Sequence, residues 1–122
     1  MKKKILIVED EIILGEMYQD KFTQAGFEVS WAQSAEEGIE MVPEVKPDLI
    51  LLDILLPRAN GIGFMGWLKE TKEFSSVPVI AFSNFDEPVT RKEAMALGVK
   101  DYLIKTNHTP EEIINKVKQH LS

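Results

Sequence analysis

Branched apolar residues fall in short unbroken runs along this chain, and two of the runs, Ile5 to Val8 and Leu49 to Leu52, stop directly at carboxylates. Runs of four such residues bounded by turn formers predict strands buried on both faces. Between them, Leu14, Met17, Tyr18, Phe22 and Ala25 recur at three- and four-residue spacing, which predicts an amphipathic helix closed by Gly26. Phe27 to Ala32 alternates Val29 and Trp31 with Glu28, Ser30 and Ala32, the pattern of a less buried strand at a sheet edge. Ser34-Ala35-Glu36-Glu37 is a capping box, so a short helix is expected from there to about Val42, stopping before Pro43.

The same period change repeats in the second half. Leu49 to Asp53 is the third strand, and a loop with Pro57, Asn60 and Gly61 leads to a helix marked by Phe64, Met65 and Leu68. Pro78 introduces a strand from Val79 to Phe82, Pro88 opens a helix through Leu97, and Gly98 supplies its left-handed cap. Asp101 to Ile104 is the fifth strand. Thr109-Pro110-Glu111-Glu112 is a second capping box, and Ile113, Ile114, Val117 and Leu121 carry the last helix.

Strands alternating with helices imply parallel pairing through right-handed crossovers, with helices on both faces. The expected fold is therefore α/β, a flavodoxin-like doubly wound sheet of five parallel strands in the order 2-1-3-4-5 with five helices, one domain over residues 1–122. Ligands bind such sheets at the carboxyl ends of the strands, at the switch point between strands 1 and 3. That is where Glu9, Asp10 and Asp53 are delivered, Asp53 being read as pushed out of the core into solvent.

Composition narrows the chemistry. The 14 basic and 20 acidic residues give a formal charge of -6, which argues against a broad basic face for direct contact with nucleic acid. The absence of cysteine excludes disulfides, thiolate metal sites and a cysteine nucleophile. The apolar run after Lys2-Lys3-Lys4 is too short for a signal peptide or a membrane span, so a cytoplasmic protein is expected.

Three carboxylates brought together repel and call for a counterion. A hard divalent cation with oxygen ligands fits, and Mg²⁺ suits a site with few protein ligands and several retained waters. Direct coordination by Asp10 and Asp53, Glu9 through water, and a backbone carbonyl near Leu55 would make that site. Strand 4 ends at Ser83, a hydroxyl donor, and strand 5 at Lys105, a point charge able to pair with phosphate. A metal, a lysine and a hydroxyl around one free carboxylate form a phosphoryl-transfer constellation in which Asp53 is the nucleophile.

The chain resembles, over essentially its whole length, the receiver domain of two-component response regulators. The residues that carry the likeness are Glu9-Asp10, Asp53 with Pro57 and Asn60-Gly61 beyond it, Ser83, and Gly98-x-x-Asp101-Tyr102-Leu103-x-Lys105. The resemblance implies phosphoryl transfer to Asp53 from a sensor histidine kinase or a histidine phosphotransfer protein. Ser83 would then turn toward the phosphoryl group and Tyr102 move inward, remodelling a face made by helix 4, strand 5 and helix 5 for a downstream protein target. Such a chain is expected to be a phosphoacceptor switch rather than an enzyme, a monomer or a phosphorylation-dependent homodimer, and with nothing after helix 5 it would act through protein contacts alone unless it is an excised domain.

Two positions depart from the family. Thr106 follows Lys105 where proline in a cis peptide is usual; a cis bond before a non-proline residue costs about 3 kcal/mol, so a trans bond is expected. Asn84 stands where a small residue is common. Leu55 and Phe85, two positions beyond Asp53 and Ser83, flank the line of hydrolytic attack and predict slow loss of phosphate, since neither can orient a water. The alternatives are a receiver-fold interaction module that no longer takes phosphate, and a Mg²⁺-dependent phosphatase working through an aspartyl phosphate. Trp31 and Trp67 read as half-buried packing residues, and His108 and His120 have no partner spacing that suggests a role.

Overall fold

Five strands pair in parallel in the order β2-β1-β3-β4-β5. The computed structural model describes residues 2–56, 60–84 and 86–122, so the expectations placed on Pro57 and Phe85 lie outside the described residues. The strands are β1 (Lys4–Val8), β2 (Glu28–Ala32), β3 (Leu49–Asp53), β4 (Val79–Ser83) and β5 (Asp101–Ile104). The helices are α1 (Ile12–Gln24), α2 (Ala35–Val45), α3 (Asn60–Glu70), α4 (Pro88–Ala96) and α5 (Pro110–Leu121). The 2-1-3-4-5 order and the five alternating helices match the fold read from the apolar runs.

β3 and β4 are buried at every position, and β1 at every position after Lys4. Strand alternation divides their side chains between two cores. Leu6, Val8, Ile50, Leu52 and Ala81 face α2, α3 and α4, where Val42, Phe64, Leu68 and Ala94 meet them. Ile5, Ile7, Leu49, Leu51 and Phe82 face α1 and α5, which supply Tyr18, Phe22, Ile113 and Val117. Each such valine, leucine, isoleucine or phenylalanine side chain, moved wholly out of water, stabilises the fold by about 2 kcal/mol. β2, at one edge, is exposed at Glu28 and fully buried only at Ala32, as its alternation implies.

Register carries the ends of the strands to one edge. Val8 pairs with Leu52, Asp53 with Phe82, and Ser83 with Ile104, so Glu9, next after Val8, comes level with Asp53, and Lys105, next after Ile104, comes one step beyond Ser83 on the same edge. The connections behind them are closed as expected at Gly26 and Gly98, both in the left-handed region (φ 99° and 97°). Thr109 and Glu112 form the complete reciprocal box at the start of α5.

α2 corrects the expectation. It runs through Pro43 to Val45 and ends at Lys46, itself left-handed at φ 51°, whose N–H reaches the Val42 carbonyl at 2.8 Å. Proline removes one donor in the last turn only, and the buried stripe of Ala35, Gly38 and Val42 holds the helix on the sheet across that defect. At its start Ser34 accepts from the Glu37 N–H at 3.1 Å, but Glu37 reaches the N–H of Gln33 rather than of Ser34.

Candidate functional site

The edge built by β1, β3, β4 and β5 gathers the acids around one lysine. Lys105 follows β5 and opens a 3-10 turn, Lys105–Asn107. Its ammonium donates to Glu9 Oε1 at 2.6 Å and to Asp53 Oδ2 at 3.1 Å. It also lies 4.6 Å from the centre of the Phe82 ring, which adds a cation–π contact beneath it. The bond from Lys105 to Thr106 is trans, as expected, for no cis peptide occurs among the described residues. The lysine is therefore aimed into the site without the usual proline.

Asp53 is not displaced into solvent. It is 5% exposed, because Lys105 covers one carboxylate oxygen and the Leu55 N–H donates to the other at 3.0 Å. A carboxylate can be buried when both oxygens are met in this way. Glu9 is buried completely; besides Lys105 it accepts from the Glu11 N–H at 3.2 Å. Asp10 alone of the three acids is exposed, beside a cleft of about 300 Å³ lined in part by Ser34, Glu36, Leu56 and Asn60.

Electrostatics follow from that burial. Loss of water raises the Glu9 carboxyl to about 7, against the pull of Lys105 and with the Asp53 charge adding to the rise. Burial alone would lower the Lys105 ammonium, but Asp53 and Glu9 together outweigh it and push it up. Glu9, Asp10 and Asp53 each offer a carboxylate oxygen within 4.8 Å of the others. Three carboxylates against one ammonium leave an excess of two negative charges when all are ionised. That excess, the all-oxygen donors and the exposed approach through Asp10 fit a hard divalent cation.

Ser83 and Tyr102 stand behind the acids. Ser83 is fully buried at the end of β4. Tyr102 on β5 is also buried, at 6% exposure, with the Arg91 guanidinium 4.8 Å from its ring centre and Arg91 in turn paired with Asp86 at 3.1 Å. Burial raises the Tyr102 hydroxyl above its ordinary value while Ser83 and Arg91 oppose the rise. Ser83 is close enough to act on the tyrosine, and among the described residues the Tyr102 hydroxyl meets no partner in hydrogen-bond geometry. The ring is packed inward in this structure, with Arg91 lying over it.

Two contacts escaped the sequence reading. Trp31, taken as packing at the sheet edge, donates its indole N–H to the Glu9 carbonyl at 2.9 Å. Asn84 donates to Glu11 Oε1 at 3.3 Å, bridging the loops after β4 and β1. Both join residues far apart in sequence, and periodicity does not report such pairs. Trp67 is half-buried against Phe64.

Comparison with known proteins agrees with this geometry. The response regulator receiver domain family matches residues 5–118. The chain is 31% identical over 121 residues to the polar-differentiation response regulator DivK of Brucella ovis, covering 99% of this chain and 98% of DivK. It is 29% identical over 120 residues to the probable transcriptional regulator ycf27 of Cyanophora paradoxa, covering 98% of this chain but only 48% of that longer protein. Chemotaxis response regulator CheY4 of Vibrio cholerae has the same fold, with a TM-score of 0.87 at 24% identity over the whole of both chains. With the strand order, the acid cluster and the lysine in place, the chain belongs to the response regulator receiver domain family of two-component signalling.

Proposed function

We propose that this receiver domain is a Mg²⁺-dependent phosphoacceptor in which Asp53 takes a phosphoryl group from a sensor histidine kinase or a histidine phosphotransfer protein. The observation that carries the reading is the meeting of Glu9, Asp10 and Asp53 around Lys105 at the carboxyl edge of the sheet. An Asp53 oxygen attacks phosphorus in line with the P–N bond of the donor; the new P–O bond forms as the P–N bond breaks and the imidazole leaves with its electron pair. Asp10 and Asp53 would hold Mg²⁺ directly, Glu9 through water, and the Leu55 backbone carbonyl would complete the protein ligands. Bound there, the cation supplies positive charge against the phosphoryl oxygens. Lys105, 3.1 Å from Asp53, is placed to pair with one of those oxygens, and Ser83 to donate to another.

The domain then works as a switch and not as an enzyme turning over a separate substrate. A phosphoryl group on Asp53 draws Ser83 toward it and favours the packed position of Tyr102, so the face of α4, β5 and α5 shifts its population for a downstream protein target. Among the described residues no helix is long and apolar enough to cross a membrane; the proposal places the domain in the cytoplasm, as a monomer or as a homodimer on phosphorylation. The test is incubation with acetyl phosphate and Mg²⁺. One added phosphoryl group, not formed when chelator replaces Mg²⁺ and absent in Asp53→Asn, is expected; no adduct, or an adduct kept by that variant, would overturn the reading.

A further inference from the structure

We propose that Trp31 is a positioning residue for the acid pair, its indole N–H holding the peptide between Glu9 and Asp10 in the orientation that aims Asp10 into the carboxylate cluster. The inference rests on the Mg²⁺ reading of that cluster. The backbone of Glu9 is held from both sides by β2: its N–H donates to the Ala32 carbonyl at 3.0 Å, and its carbonyl accepts from Trp31 Nε1 at 2.9 Å. The β1–β2 ladder ends at the pair Val8 and Ala32, so the indole takes over where the strand's own donors stop. With both polar groups held, the peptide after Glu9 has one orientation, and Asp10 follows from it.

The placement of the ring is built into α1. A Cβ at Gly15 would overlap the indole carbons Cε2 and Cζ2, so the ring lies on the helix backbone at a position without a side chain. Packing alone would accept another large apolar side chain there. Only the indole adds a ring N–H that can do nothing but donate. Asp10 is exposed, unlike Glu9 and Asp53, and its aim depends more on its backbone than theirs does.

Two variants separate hydrogen bond from packing: Trp31→Phe, and the protein with benzothienylalanine at position 31, which keeps the ring's shape and removes the N–H. Mg²⁺ affinity is read from the Asp10 and Leu55 amide signals by NMR, and fold integrity from the urea midpoint. Both variants are expected to bind Mg²⁺ about tenfold more weakly, as for other groups that orient a metal ligand, with the benzothienyl protein keeping the wild-type midpoint. Hydrogen exchange at the Glu9 amide, which donates to the Ala32 carbonyl at 3.0 Å, reads the hold on the same backbone in metal-free protein without the ion, and should quicken in both variants. Wild-type exchange and wild-type Mg²⁺ affinity in the benzothienyl protein would overturn the assignment. A folded wild-type protein that binds no Mg²⁺ would strike the Mg²⁺ reading instead, and the exchange rates would still decide for or against Trp31.

Discussion

Lys105 and Asp53 stand 3.1 Å apart with both side chains buried, although 52 positions separate them in the chain. One comes from the end of β5 and the other from the end of β3, and the lysine reaches on to Glu9 at 2.6 Å. Lys105→Met would leave two buried carboxylates without their cation. Metal-free stability should then fall by about 3 kcal/mol, measured by urea denaturation. Mg²⁺ should restore more stability to the variant than it adds to wild type, because the ion no longer competes with the ammonium. Equal stability of variant and wild type in chelator would contradict the pairing.

The Glu9 carboxyl gives a pH dependence of definite sign. Its native value of about 7 lies above the ordinary 4.5, so the folded state binds the proton more tightly than the unfolded one. The corresponding stability is fully present below 4.5 and is lost as pH rises through about 7. Wild type in chelator should therefore weaken over that window relative to Glu9→Gln, and saturating Mg²⁺ should flatten the difference by favouring the ionised acid. Parallel curves for the two proteins in chelator would show that Glu9 does not titrate there.

Hydrolysis of an aspartyl phosphate needs an oriented water, and half-buried Leu55 cannot orient one. Leu55→Asn should shorten the phosphoryl half-life about tenfold, followed by loss of the mass adduct after the donor is removed. An unchanged half-life would remove Leu55 from the account.

Gly61 is fixed by a close approach and not by its dihedrals. A Cβ there would overlap the backbone of Ile54, including its carbonyl oxygen, just after Asp53. Backbone cannot step aside as a flexible side chain can, so Gly61→Ala should cost about 3 kcal/mol. It should also weaken Mg²⁺ binding, since Ile54 lies between Asp53 and Leu55. A wild-type urea midpoint in this variant would contradict the contact.

What could be read from the residues, and what could not, divides on physical lines. Continuous apolar runs located β1, β3 and β4, and capping boxes and glycines located helix ends, because those signals are local. The fold order then brought Glu9, Asp10, Asp53, Ser83 and Lys105 to one edge. The burial of Asp53 was misread because it depends on a lysine from another strand covering it. Pro43 was misread because tertiary packing of Ala35, Gly38 and Val42 overrides a local helix stop. Trp31 was read as packing, and only the register of β2 beside β1 shows its N–H at the Glu9 carbonyl.

The central claim, that Asp53 is the acceptor, is tested most directly by trapping the phosphoryl group where it sits. After transfer from acetyl phosphate in Mg²⁺, borohydride reduces an aspartyl phosphate to homoserine, and peptide mass spectrometry locates the reduced residue. The account predicts homoserine at position 53 and at no other carboxylate. Reduction at Asp10 or Glu9, or none in protein that carries the phosphoryl adduct, would contradict it.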